Sequence, residues 1–80
     1  MNIKQYNKDR DHAITELIKT GSLDEWFKVV EKYKLNFPKN EIVVKGALYK
    51  AAQHCLSIPS DLKQRAAEEC RKLGMNPYSL

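Results

Sequence analysis

Cysteine is too scarce in this chain to hold it together. Cys55 and Cys70 are the only two in 80 residues, whereas secreted domains of this size rely on several bridges. If the third and fourth segments pair antiparallel around Ile58, Cys55 sits near the turn and Cys70 about twelve residues beyond it. That offset is too long for a disulfide at about 1.5 Å rise per residue, so both are expected as reduced core thiols. A long apolar run is missing too. No stretch of eighteen apolar residues is available to cross a bilayer, and Met1 to Tyr6 lacks the apolar centre of a signal peptide. The expected compartment is therefore the cytosol, with no membrane partner.

Glycine and proline number three each, and their scarcity makes them informative. No glycine-rich phosphate loop can be built from Gly21, Gly46 and Gly74. Instead, Thr20-Gly21-Ser22, Asn36-Phe37-Pro38, Ser57-Ile58-Pro59-Ser60 and Gly74 with Pro77 read as punctuation between helical stretches. Metal spacing is also missing, since neither Cys-x-x-Cys nor His-x-x-x-His occurs. His54 and Cys55, being consecutive, diverge by about 100° on a helix and converge poorly on an ion or as a nucleophile and base. Adjacent Glu68 and Glu69 diverge in the same way, which makes them a poor acid and base pair. The sequence implies no cofactor, no metal and no enzyme.

What is present is enough apolar content, 42%, for a folded core in one small domain. Ala13, Ile14, Leu17 and Ile18 form the stripe of a first helix starting near Asn7 or Asp9 and stopping at Gly21. Ser22 and Glu25 have the spacing of a capping box. Leu23, Trp26, Phe27, Val30 and Tyr33 then stack the bulkiest side chains on one face of a second helix. A third helix follows Pro38, which is expected in its first turn. Its inward stripe is Val44, Ala47, Leu48, Ala51, Ala52 and Cys55, while Ile42, Gly46, Tyr49 and Gln53 align on another side. A helix apolar on more than one side is expected to be central. The β-branched run from Glu41 to Val44 would also suit a short strand, but no partner strand is evident. Leu62, Ala66, Cys70 and Leu73 give a fourth helix that Pro59 and Ser57 or Ser60 open and Gly74-Met75 close. The expectation is an all-α, compact four-helix domain over 1–80. Its helices span about 8–20, 22–34, 39–56 and 59–73, helix three is central, and the ends 1–6 and 75–80 are short and flexible.

The charge of +4 is unevenly distributed. Residues 1–27 sum to −1 and residues 51–80 to +1, so the surplus lies in 28–50, where six lysines face Glu31 and Glu41. Lys28, Lys32, Lys34, Lys39, Lys45 and Lys50, with Tyr49 and Phe37 interleaved, are the candidate partner-binding or nucleic-acid-binding residues. Lysines of this kind can contact phosphate without reading sequence. A helix-turn-helix reading fails at the first junction, because Asp24 and Glu25 lead the helix that would meet phosphates. The second junction is followed by Lys63, Gln64, Arg65 and Arg71, which are better groove-facing chemistry, but Asp61 leads and the turn lacks glycine.

The functional expectation is a small non-enzymatic cytosolic interaction module that binds another macromolecule. It would be of adaptor or inhibitor type, as mobile elements encode. The alternative is a nucleic-acid-binding protein using the central lysines. The expected partner is a protein or acidic macromolecule, and a homodimer is compatible with the sequence.

Overall fold

The computed structural model describes residues 2–79 as four α-helices and their connections. They are α1 (Ile3–Thr20), α2 (Asp24–Tyr33), α3 (Glu41–Ala52) and α4 (Ser60–Lys72). No helix among the described residues is long and apolar enough to cross a membrane. Met1 and Leu80, parts of the two ends expected to be flexible, lie outside the described residues.

Helix α1 starts earlier than its apolar stripe suggests. The Asn2 side chain accepts the Gln5 amide at 3.2 Å, a cap that extends the helix over residues 3–7. Tertiary contact holds this added turn, because the Tyr6 ring meets Tyr33 edge-on at 5.2 Å. Most of the expected flexible N-terminal end is thus helical. The buried residues of α1 are Ala13, Ile14, Leu17 and Ile18, as the spacing predicts. Gly21 closes the helix at φ 76°, where its amide meets the Leu17 carbonyl at 2.8 Å.

The expected capping box at Ser22 does not form. Leu23 takes the cap position and α2 starts at Asp24. Ser22 Oγ accepts the Asp24 amide at 3.1 Å and not that of Glu25, whose side chain turns to Lys28 and His12. Helix α2 ends at Lys34, which adopts the left-handed conformation at φ 52°. The Lys34 and Leu35 amides then reach the carbonyls of Glu31 and Val30 at 3.3 and 2.9 Å, closing a Schellman stop without glycine. Leu35 and Phe37 in the following loop are half-buried, and Phe37 meets Trp26 edge-on at 5.3 Å.

Pro38 lies outside α3, not in its first turn, because Asn40 takes the capping position. Its Oδ1 accepts the amides of Ile42 and Val43 at 3.0 and 3.3 Å. The segment from Glu41 to Val44 is helical, which removes the strand alternative. Helix α3 ends at Ala52, four residues short of the expected Leu56. There the amides of Gln53, His54 and Cys55 bond three residues back, at 3.1, 3.0 and 3.2 Å, and tighten the chain into turns. Cys55 and Ile58 remain buried, while Leu56 projects into solvent at 99% exposure. Helix α4 opens after Pro59 and ends as expected. Gly74 sits at φ 81° and the Met75 amide reaches the Cys70 carbonyl at 3.2 Å.

The central helix is α1, which corrects the expectation for helix three. Helix α1 packs on α2, α3 and α4, whereas the α2 backbone comes within 8 Å (Cα to Cα) of neither α3 nor α4. The second apolar side of α3 has a simpler cause. Tyr49 lies near Glu69, Cys70 and Arg65 of α4, Gln53 donates to the Lys63 carbonyl at 2.9 Å, and Met75 covers Gly46. Val44, Leu48 and Ala52 join α1 residues in the common core. Cys55 and Cys70 are both free and buried.

Candidate interaction surface along α3

The candidate lysines do not form one surface. Lys28 pairs with Glu25 at 3.1 Å, and Lys32 with Asp9 at 2.9 Å. Both line a small cleft between α1 and α2 that also holds Asp9, His12 and Glu25. Two carboxylates in that cleft offset the two ammonium groups. Lys34 is the left-handed stop of α2, and Lys39 borders a separate hollow lined by Trp26, Phe27, Phe37 and Pro38. Lys45 is half-buried on α3. Lys50 borders a third depression, on the outer side of α3. Tyr49, expected to interleave with the lysines on the surface, is buried at 4% exposure. Its position against α4 removes it from any partner-facing role in the folded chain.

The third depression is the most apolar of these surfaces. Val43, Ala47 and Ala51 recur every four residues along α3 and form one wall, and Met75 from the turn after α4 forms part of the other. Lys50, His54 and Ser79 complete its lining around a groove of about 480 Å³. Among the described residues, no carboxylate side chain contributes to that lining. Ala47 is exposed, Ala51 half-buried and Val43 45% exposed, so Ala47, expected in the core stripe, is a groove residue instead, while Ala51 packs against the core and also reaches the groove. Sequence spacing missed this because apolar residues occur nearly all around α3. The signal that could have found it is the Gly74-Met75 stop, which returns an apolar side chain to α3 opposite the one glycine in that helix.

The polar cluster nearest to catalytic appearance lies at the α3–α4 connection. Ser57 donates to Asp11 Oδ2 at 2.6 Å, and Arg10 pairs with Asp11 at 2.9 Å. Desolvation pushes the Asp11 carboxyl up, but the hydrogen bonds from Ser57 and Arg10 outweigh it and leave the pKa lowered. Burial, reinforced by neighbouring Asp11, pushes the Cys55 thiol up. A thiol held protonated is a poor nucleophile, and exposed His54 is not its hydrogen-bond partner. The arrangement suits a tether between α1 and the connection. Among the described residues, no three His, Cys, Asp or Glu side chains gather as a metal ion would require.

At the α1–α2 contact, Tyr33 donates to Asp9 Oδ2 at 2.6 Å and Lys32 adds its charge from 2.9 Å. Together they lower the Asp9 carboxyl from 3.8 to about 2. His12 approaches Glu25 at 3.8 Å across the same contact. These charges therefore join helices and are partly consumed by folding.

Compared with known proteins, the chain matches no family model, no curated protein and no solved structure.

Proposed function

We propose that this protein is a non-enzymatic interaction module that binds another macromolecule through the outer side of α3. The observation that carries this reading is the groove formed by Val43, Ala47, Ala51 and Met75, an apolar surface that folding leaves uncovered. Burying such a surface is favourable at about 25 cal/mol per Å² of apolar area, and a contiguous apolar patch with a polar rim is characteristic of docking sites. Adaptor or inhibitor behaviour fits a small domain whose polar clusters are occupied with internal tethers. The nucleic-acid alternative draws less support, because Lys28 and Lys32 are paired with carboxylates and Lys39 and Lys50 border different depressions.

The test is site-directed photocrosslinking in the native cell, with the crosslinker at Ala47 and, as a control, at exposed Glu68 on α4. A discrete adduct from position 47 that is absent from position 68 is expected. Equal adducts from both positions, or none from either, would remove α3 as the docking surface.

A further inference from the structure

Resting on that reading, we infer that the occupant of the α3 groove is an amphipathic helix of a partner protein, with acidic side chains flanking its apolar face. The shape argument comes first. Val43, Ala47 and Ala51 lie one turn apart and carry short side chains, so the wall they make is straight and shallow. A helix matches it because its own apolar residues repeat every three or four positions and can meet such a wall over several turns. The small side chains allow close approach of the two backbones. Met75, unbranched and polarizable, forms the opposing wall and adapts to side chains of different shape.

The charge argument chooses among occupants. Lys50 and His54 are the basic side chains of the groove lining, and among the described residues no carboxylate side chain lines the groove opposite them. Among the described residues, neither has an intramolecular ion-pair partner within 4.0 Å. This sets Lys50 apart from Lys28 and Lys32, whose charges are already engaged. A partner helix bearing Glu or Asp beside its apolar stripe would supply the missing counter-charge, giving register and orientation as well as attraction. A second copy of this chain supplies no such complement. In a two-fold interface the same patch meets itself, bringing two more basic groups and no acid, between subunits of net charge +4 each. Nucleic acid would meet Lys50 and His54 but leave the apolar wall without a counterpart.

The experiment uses the full chain and three fluorescent helical peptides with one shared apolar face, flanked by Glu, by Lys or by Gln. The Glu-flanked peptide is expected to bind at least about tenfold tighter than the Gln-flanked one, and the Lys-flanked peptide more weakly than either. Lys50→Glu should reverse that order, favouring the Lys-flanked peptide, with the far-ultraviolet circular dichroism of the domain unchanged. Ala47→Glu, at an exposed helical position, should weaken all three by roughly tenfold or more through loss of the apolar contact. Equal binding of the three peptides, all sensitive to Ala47→Glu, would overturn the acidic partner while leaving the groove as the docking surface. Binding insensitive to Ala47→Glu, or no peptide binding at all, would overturn the helical occupant. Concentration-dependent dimerisation abolished by Ala47→Glu would assign the groove to a second copy, and binding only to vesicles containing anionic lipid would assign it to a membrane surface. Either result contradicts the inference.

Discussion

Met75 lies directly against Gly46, with its sulfur in the space that a β-carbon on Gly46 would occupy. This contact joins the turn after α4 to the middle of α3, and it sets the shape of the groove beside it. The glycine is therefore needed for close approach and not for an unusual backbone, since α3 is regular there.

A double-mutant cycle reads this contact. Met75→Ala is expected to cost about 1–2 kcal/mol, less than a fully buried methionine because Met75 is only half-buried. Gly46→Ala should be near neutral or destabilising in the native background, because the end of the Met75 side chain must swing away. In the Met75→Ala background the same change should stabilise by about 0.5–1 kcal/mol, the helix preference of Ala over Gly. Urea unfolding of the four proteins gives the coupling, and additive effects would show that the two residues do not share the space.

Lys34 provides a second test, because it holds φ 52° without being glycine. Left-handed backbone costs an ordinary residue about 1–2 kcal/mol, part of which glycine returns through its larger unfolded-state entropy. Lys34→Gly should therefore raise stability by roughly 0.5–1 kcal/mol, read as a higher urea midpoint with unchanged slope. A lower midpoint would mean that the lysine side chain contributes more than its backbone costs.

Acid should loosen the α1–α2 contact. The Asp9 carboxyl is lowered in the fold from 3.8 to about 2 by Tyr33 and then Lys32. Its stabilising contribution is present above its unfolded value and declines as pH falls towards about 2. Asp11 is lowered as well, so it adds to the decline in the same direction. Tyr33→Phe should lower the thermal midpoint at pH 5 and make its fall between pH 5 and pH 2 shallower. The Asp9 carboxyl carbon, followed by NMR, should titrate at higher pH in that variant, and an unchanged titration would place the cause elsewhere.

The heavy face of α2 divides unequally between core and solvent. Trp26 is 3% exposed and Phe27 41%, although spacing alone assigns both to one inward stripe. Trp26→Ala should cost about 3–5 kcal/mol. Phe27→Ala should cost less than half as much. Equal losses would indicate that Phe27 is covered in solution.

These differences show where sequence is informative and where it is not. The stripe of α1 was legible because Ala13, Ile14, Leu17 and Ile18 stand against polar neighbours, leaving one face to bury. The Gly74 stop was legible because glycine and the following Met75 carry the motif themselves. On α3 the apolar residues are spread around the helix, so spacing could not say which side α1 and α4 would cover. The assignment of Ala47 to the core, and of Tyr49 to the surface, failed for that reason. The early start of α1 had a local signal in the Asn2 cap, but the contact that holds the added turn, Tyr6 against Tyr33, spans 27 positions of the chain and leaves none. The lysines were visible as a run in sequence, but the pairing of Lys28 and Lys32 depends on acidic residues Glu25 of α2 and Asp9 of α1.

The most direct test of the account is an NMR titration of the methyl-labelled domain with the Glu-flanked helical peptide. The account predicts that the largest shifts fall on the methyls of Val43, Ala47, Ala51 and Met75, with Val29 and Ile14 unmoved. Shifts centred on Val30, Leu35 and the hollow beside Phe37, with the α3 methyls silent, would contradict it.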